Sequence, residues 1–363
     1  MSEASLKRTP LYALHVAAGA RTVPFAGWEM PVQYAGVLQE VRAVREAAGL
    51  FDVSHMGELH VTGPAALAWL NSLATNDVAR LAPGRAQYSL LCREDGGIVD
   101  DILVYQLDTD DFMLVTNASN TEKDARWLQE RLLPGVELTD STAETALLAL
   151  QGPAAAEILG GLTVAPVADL RRFQFGAAEV AGVPCLVSRT GYTGGDGFEL
   201  FTQEDAAALW RALLEAEGGR VQPCGLGARD VCRIEAGNVL YDHEIDEHVN
   251  PVAAGLMWVV RLEKGAFLGS DAIARIQAAG VPLTLIGLKS SSRAVPRQDY
   301  LLFWRGEEAG FVTSGTFSPT LGKPIALGYL PPEAAAPGTE VEFEIRSRRE
   351  PAVVVSLPFY RAR

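Results

Sequence analysis

The segment GPAALAWLNSL (Gly63–Leu73) returns further along the chain as GPAAAEILGGL (Gly152–Leu162). A short apolar run precedes each, GELHVT in the first case and ALLALQ in the second. Each opens Gly-Pro, and proline's fixed φ and missing N–H suit the first turn of a helix. Leucines at matching places then mark a common buried face. Gly-Pro-Ala-Ala is a frequent way to open any helix, so the flanking pattern has to carry the argument. After the first helix come AQYSLLC, the turn REDGG, IVDDILVYQL, the turn DTDD and FMLVTN. The helix TEKDARWLQERL follows, with Trp127, Leu128 and Leu132 on one side. After the second come FQFGAAEV, VPCLVSRT, a glycine-rich loop, FELFT and the helix EDAAALWRALLEAEG. Both copies read strand–helix–strands–helix, a duplicated α+β unit of roughly ferredoxin-like kind.

Beyond Gly280 the texture changes to short apolar runs separated by turns, from VPLTLIGLKS to AVVVSLPFY. That pattern predicts a separate β-barrel or sandwich. LGSDAIARIQAAG, from Leu268, reads as the helical connector, with Ser270 as N-cap and Gly280 as stop. A chain of 363 residues, 48% of them hydrophobic, has material for more than one domain. A net charge of −14 without any Lys/Arg run argues against nucleic acid. No apolar stretch reaches the roughly 20 residues of a membrane span. The opening MSEASLKRTPLYALHVAAGA lacks the continuous apolar core of a secretory signal, so the cytoplasm is the expected compartment. Cys92, Cys185, Cys224 and Cys232 form no C-x-x-C pair and read as buried thiols.

One strand holds a contradiction. In GGIVDDILVY two adjacent aspartates interrupt a run that otherwise looks buried. Aspartate is depleted in strands, and an unpaired buried carboxylate is expensive. Because side chains alternate, Asp100 falls on the face of Ile98, Ile102 and Val104, and Asp101 on that of Val99, Leu103 and Tyr105. The two cannot share a proton, and at most one enters a given site.

Other polar clusters are less specific. YDHEIDEHVN (Tyr241–Asn250) invites a metal reading, but its two histidines are five apart, about 140° around a helix, so the zinc-protease spacing fails. A solvated acidic loop is the plainer expectation, with no metal. SRTGYTGGDGFEL (Ser188–Leu200) sets four glycines between two strands, which lets a flat ligand approach the backbone or simply makes a hairpin loop. It matches neither phosphate-binding fingerprint. Ser54 and His55 are adjacent and no G-x-S-x-G elbow occurs, so covalent hydrolysis is not supported. GLGARDVCRIEAG (Gly225–Gly237) reads as a short helix whose charges either pair at the surface or, at Arg229, offer a fork to a carboxylate.

Taken together these segments resemble one family, the aminomethyltransferase (T protein) of the glycine cleavage system. The resemblance rests on FAGWEMPVQY, FDVSHMGE, YSLLCREDGGIVDDILVY, NASN, LQGPAA, SRTGYTGGDGFEL, GLGARDVCRIEAG, NPVAAGLMWVVRL and TSGTFSPTLGKPIALGYL, in that order over almost the whole chain. It implies a three-lobed α+β fold, with a duplicated ferredoxin-like body and a C-terminal antiparallel β-barrel. The implied lobes are 1–52 with 140–265, 53–139, and 281–363, with 266–280 as connector helix. The resemblance implies tetrahydrofolate, bound in a central hole, as co-substrate. The lipoylated H protein would be the partner, working alongside the P and L proteins, with neither nucleic acid nor membrane involved. The aminomethyl group on the lipoyl arm would give ammonia, 5,10-methylenetetrahydrofolate and a dihydrolipoyl arm.

By the same resemblance Asp101 matches the catalytic carboxylate, close to the reacting folate nitrogens, and Glu199 the acid that accepts hydrogen bonds from the pterin ring. Tyr192 and Tyr88 match wall positions, while Arg229 and Tyr360 match ligand-binding ones. Arg361 is expected at the folate glutamate tail, Met56 and Trp258 as walls and Asn117 as a polar contact. Three positions depart from the family pattern: Gly195, where Glu is usual (TGEDGFE), Arg172 in a stretch that is commonly aromatic, and Asn238, where some members have Tyr. H proteins tend to be acidic, so docking on this acidic chain requires a local basic patch. Two related folds are set apart by sequence. Sarcosine and dimethylglycine dehydrogenases add a flavin domain, and a folate-binding iron–sulfur maintenance protein carries Lys-Gly-Cys-Tyr where this chain has no cysteine.

Overall fold

The computed structural model describes residues 6–362. The chain divides into two compact units. The first takes in the chain up to Leu67 with Leu81–Gln87 and Leu103–Asp230, and the second takes in Ala68–Arg80, Tyr88–Ile102 and the chain from Val231 onward.

The N-terminal segment supplies helix α1 (Tyr12–Ala17), the hairpin β1 (Arg21–Phe25) and β2 (Trp28–Gln33), helix α2 (Val37–Glu46) and strand β3 (Ala48–Asp52). The first repeat then runs β4 (Gly57–Thr62), α3 (Ala66–Leu73), β5 (Arg85–Cys92), β6 (Ile98–Asp108), β7 (Asp111–Thr116), α4 (Thr121–Gln129) and β8 (Glu137–Asp140). The second runs β9 (Ala146–Gln151), α5 (Ala155–Gly160), β10 (Phe175–Val180), β11 (Val183–Ser188), β12 (Gly197–Thr202), α6 (Ala206–Glu215) and β13 (Val221–Pro223). The sheets are ordered β5-β6-β7-β4-β8 and β10-β11-β12-β9-β3-β13. They match strand for strand, except that β3 is inserted between β9 and the closing strand. That closing strand is antiparallel to β4 in the first sheet and parallel to β3 in the second.

The repeat is also visible in its turns. Gly63 and Gly152 both have positive φ, +113° and +141°. In each copy the alanine three residues on donates its N–H to that glycine's carbonyl, Ala66 at 2.9 Å and Ala155 at 3.0 Å. A Cβ on Gly63 would lie 2.3 Å from the Gly135 carbonyl oxygen, and one on Gly152 2.4 Å from that of Ala47. The prolines therefore sit in a lead-in turn ahead of the helices rather than in their first turn. The second sheet buries Leu148, Leu150, Phe198 and Leu200 completely, each contributing about 1.5–3 kcal/mol.

Helix α7 (Leu226–Ala236) follows the second repeat, and α8 (Ser270–Ala279) precedes the barrel. Ser270 is the first helical residue of α8, not its cap. Gly269 stands at the N-cap with φ +86°, and the Ser270 hydroxyl accepts from the Phe267 N–H. A Cβ on Gly269 would meet the Arg93 carbonyl oxygen at 2.5 Å, so glycine is required where a serine cap would otherwise serve. The barrel is closed, in the order β14 (Thr284–Ser290), β17 (Lys323–Leu330), β16 (Glu307–Ser318), β15 (Leu301–Trp304), β18 (Glu340–Ile345) and β19 (Arg348–Val355). Every pairing in it is antiparallel and β14 also bonds β19, which leaves no free edge. Leu288, Leu302, Val312 and Phe343 fill its interior.

Candidate functional site

The aspartate pair resolves as strand alternation requires. Asp100 is wholly buried and Asp101 half-buried. The phenol of Tyr88 on β5 donates to Asp101 Oδ2 at 2.8 Å. The Tyr88 ring in turn stacks on Trp258, with centroids 5.6 Å apart and planes 13° from parallel. Trp258 is 58% exposed, a large aromatic face open to a ligand. Its segment is fastened by Thr75 Oγ1 donating to the Val259 carbonyl at 3.0 Å. Asn76 Nδ2 donates to the Tyr88 carbonyl at 2.9 Å. Lys264, which sequence reasoning passed over, donates to the carbonyls of Asn71, Ala74 and Asn76 at 2.7, 2.5 and 2.8 Å. Its ammonium thereby serves the unpaired C-terminal carbonyls of α3, although burial pulls its pKa down to about 8.

Around the start of β6 the acidic stretch Tyr241–Asn250 is not the solvated loop its composition suggests. Glu244 is buried against Arg233, with a 2.6 Å ion pair, and accepts from the Thr313 hydroxyl at 2.6 Å. Burial of both partners is sustained because the Leu240 N–H and the Ser314 hydroxyl satisfy them further. Glu247 instead reaches Arg93 at 3.3 Å, and His243 Nδ1 lies 3.2 Å from Ser314 Oγ. Glu244 and Glu247 are thus committed to different arginines, and His243 shares Ser314 with Arg233. Asn238 presents its carbonyl to Arg233 at 3.2 Å. Tyr360 is half-buried and its N–H donates to the Glu235 carbonyl at 2.9 Å, while Arg361 is exposed.

A second constellation belongs to the other compact unit. Glu199 on β12 is 7% exposed. Thr190 Oγ1 donates to its Oε2 at 2.5 Å, and Thr190 lies 3.3 Å from the Tyr105 phenol and 2.9 Å from Ser188 Oγ. Burial raises the Glu199 carboxyl above the usual range, opposed by the Thr190 hydrogen bond and the charge of Arg229. The Arg229 guanidinium lies 4.8 Å from the Tyr192 ring centroid, a cation–π contact. His55 packs edge-on against Phe25, with ring centroids 5.6 Å apart. Burial, with Arg229 adding to it, drives its imidazole down to about 4, so it is neutral at physiological pH. Its neighbour Ser54 donates to Asp52 Oδ1 at 2.6 Å, so no Ser–His pair forms. Met56 is half-buried in the same β3–β4 connection, and the Asn117 carbonyl accepts from the Asn120 and Thr121 N–H groups at the head of α4.

The glycine-rich loop owes two of its glycines to the protein itself. Gln151, in the LQG of the second repeat, donates Nε2 to the carbonyls of Thr190 and Phe198 and accepts from Thr193 Oγ1 at 3.0 Å. A Cβ on Gly191 would lie 2.1 Å from its Oε1, and one on Gly197 2.6 Å from its Nε2. The loop is wrapped around a buried amide. Asp196 holds its base, paired to Arg189 through Nε at 2.9 Å and Nη2 at 2.5 Å, which keeps the carboxyl below its usual range. A Cβ on Gly195 would make only ordinary contacts, with Thr193 Oγ1 at 3.6 Å and Arg45 Nη1 at 3.8 Å. Arg172 stacks its exposed guanidinium 5.4 Å from the Phe173 ring centroid.

Comparison with known proteins gives a consistent result. The family model "GCVT N-terminal domain" matches residues 11–264, and "Glycine cleavage T-protein C-terminal barrel domain" matches residues 284–361. An aminomethyltransferase of Symbiobacterium thermophilum is 56% identical over 99% of this chain and 98% of its own length. One of Geobacillus kaustophilus is 54% identical over 98% of this chain and 99% of its own. The crystal structure of the glycine cleavage system aminomethyltransferase T from Bartonella henselae superposes with a TM-score of 0.92, at 39% identity, covering 98% of both chains. With both halves of the fold and nearly the full length accounted for, the chain belongs to the glycine cleavage T-protein family, the aminomethyltransferases.

Proposed function

We propose that Asp101 is the catalytic carboxylate of aminomethyl transfer and that Glu199 holds the pterin ring of tetrahydrofolate. As a glycine cleavage aminomethyltransferase, the enzyme moves the methylene of the aminomethyl-lipoyl H protein to tetrahydrofolate, releasing ammonia and a dihydrolipoyl arm. The observation that carries the assignment is the half-buried carboxylate of Asp101, oriented by the Tyr88 phenol beside the open face of Trp258. Positive charge passes to the transferred carbon as neutral ammonia departs, and is shared with the folate nitrogen that bonds to it. A fixed carboxylate in partly dry surroundings stabilises that charge more than water would, because no solvent has to reorganise. The hydrogen bond from Tyr88 fixes one oxygen, so orientation is set before substrate arrives.

Glu199 fits a ring that presents N–H donors: Thr190 donates to Oε2, and we assign Oε1 to the ring. In the same unit Arg229 packs on the Tyr192 ring, and we assign both, with Met56, to ligand binding; in the other unit we assign the stacked pair Tyr88 and Trp258 as wall residues. Asn117 would add a polar contact, and Tyr360 with Arg361 would receive the glutamate tail. Each role is assigned to side chains alone and no metal enters the scheme. The partner is the lipoylated H protein, acting with the P and L proteins, and neither nucleic acid nor membrane enters the scheme. We place the enzyme in the cytoplasm, and no helix among the described residues is long and apolar enough to cross a membrane. The strand order supports grouping residues 1–52 with the second repeat, since β3 lies in the second sheet, whereas the part of 140–265 from Val231 onward falls in the other compact unit.

Ammonia release from aminomethylated lipoyl H protein, with and without tetrahydrofolate, tests the assignment. Asp101→Asn keeps the shape and removes the charge. It should lower turnover by on the order of 10²–10³-fold while binding of 5-formyltetrahydrofolate persists. Unchanged turnover would remove Asp101 from the chemistry, and lost folate binding would make it a binding residue instead.

A further inference from the structure

We propose that Thr190, backed by Tyr105, is a positioning residue for Glu199, tying one carboxylate oxygen so that the other remains an ionised acceptor for the donors of the pterin ring. The inference rests on the reading of Glu199 given above and adds to it how a buried acid is kept in its binding form.

A threonine hydroxyl has a single hydrogen. Thr190 Oγ1 has three oxygen neighbours: Glu199 Oε2 at 2.5 Å, Ser188 Oγ at 2.9 Å and the Tyr105 phenol at 3.3 Å. The shortest contact is to the carboxylate, and a bond to a charged acceptor is the stronger one. The hydrogen therefore goes to Glu199, which leaves Thr190 Oγ1 as an acceptor for the phenol behind it, a phenol that also hydrogen-bonds Ser188. Tyr105 cannot rotate out of this role, because it is fully buried and its ring packs against Phe175 and Phe201 at 5.2 and 5.6 Å between centroids. The result is a one-directional chain, Tyr105 to Thr190 to Glu199, ending on Oε2.

The surroundings would otherwise favour a protonated acid. β12 buries the carboxyl, and burial disfavours its charge. Two groups act the other way, the Thr190 hydroxyl from the loop after β11 and Arg229 from α7. Glu58 on β4 is the other acid acting in this neighbourhood, through its effect on Tyr105. Burial and Asp140 raise the Glu58 carboxyl well above the carboxylate range, which disfavours a second negative charge beside Tyr105. A protonated Glu199 would present a hydroxyl to ring donors and lose them as partners. Thr190 thus acts on ligand binding without touching the ligand.

The test is calorimetric titration of the full-length protein with 5-formyltetrahydrofolate from pH 6 to 9, for wild type, Thr190→Val, Thr190→Ser, Tyr105→Phe and Glu199→Gln. Thr190→Val should bind on the order of tenfold more weakly at pH 6.5, with the gap closing towards pH 9 as Glu199 ionises. Thr190→Ser should restore wild-type behaviour, and Tyr105→Phe should shift the same pH dependence by less. Glu199→Gln should bind weakly with a flat profile. Equal weakening of Thr190→Val at every pH would reduce Thr190 to packing and overturn the proposal, as would wild-type binding throughout. Wild-type binding by Glu199→Gln would instead remove the pterin role of Glu199, and the inference with it.

Discussion

The two repeats share a backbone lattice and differ in what they hang on it. In the first sheet the row three residues ahead of Gly-Pro is His60, Met113 and Tyr105. In the second the same row is Ala149, Glu199 and Ser188. The acid we assign to the pterin therefore stands where the first copy has a methionine. Counting back four residues along β6 and β11 from Tyr105 and Ser188 sets Asp101 opposite Pro184, which is exposed on its strand. Each repeat carries one candidate acid, and neither has it where the other does. The two copies share the turn glycines and the strand order and differ in the residues at single lattice points.

The shared part of that comparison is broken most severely at the glycines. Gly63→Ala and Gly152→Ala each force a Cβ against a backbone carbonyl at a φ that alanine avoids. Each should cost about 2–4 kcal/mol and lower the thermal midpoint by several degrees. If one is well tolerated, the two turns are not structural equivalents.

The unshared part is sharpened at Glu58. Its equivalent, five residues ahead of Gly-Pro, is Leu147 in the second repeat. Both Glu58 carboxyl oxygens are buried without a hydrogen-bond partner, and burial with Asp140 raises its pKa well above normal. The folded state therefore holds this proton to higher pH than the unfolded chain, whose glutamates release it near ~4.3. The stability attached to that proton is complete below that value and is lost as pH rises through the raised folded pKa. Glu58→Leu, which makes the first copy like the second, should remove that loss. It should be about 1–3 kcal/mol more stable than wild type at pH 8, with a smaller gain at pH 4. An equal gain at both values would show that packing alone is responsible, and urea denaturation at the two pH values separates these outcomes.

Most of this fold was legible in the sequence because most of it is amphipathic. The alternation along β6 separated Asp100 from Asp101, and the short runs after Gly280 announced the barrel. Five strands escaped, the β1–β2 hairpin among them, and for the other three the reasons are definite. β3 is buried on both faces and shows no alternation, β8 is a short polar edge, and β13 has three residues ending in proline. The helix TEKDARWLQERL stops at Gln129, and its buried face is Thr121, Asp124 and Leu128. The site was legible only in part. The Asp100–Asp101 pair declared itself by interrupting a strand, but the choice of Asp101, like Glu199 in GFEL, was reached through family resemblance. Thr190, Tyr105, Gln151, His55 and Lys264 act through partners distant in sequence, and no periodicity encodes those contacts. Glu244 looked solvated because its neighbours are polar, and only the tertiary pairing with Arg233 removes it from water.

The smallest effect should come from the position where the chain departs from its family within the glycine-rich loop. Gly191 and Gly197 are closed to any side chain by Gln151, whereas Gly195 has ordinary contact distances and a φ outside the positive range. Arg45, which donates to the Thr193 carbonyl at 2.8 Å, is the nearest charge. Gly195→Glu should place its carboxylate within reach of that guanidinium, a partly solvated pairing worth roughly 0–1 kcal/mol. Melting temperature should rise by no more than about a degree or two, and affinity for 5-formyltetrahydrofolate should stay within about threefold of wild type. A much larger gain in affinity would mean that the usual family glutamate contacts the ligand directly, and that in this chain Glu199 carries alone a role the family divides between two acids.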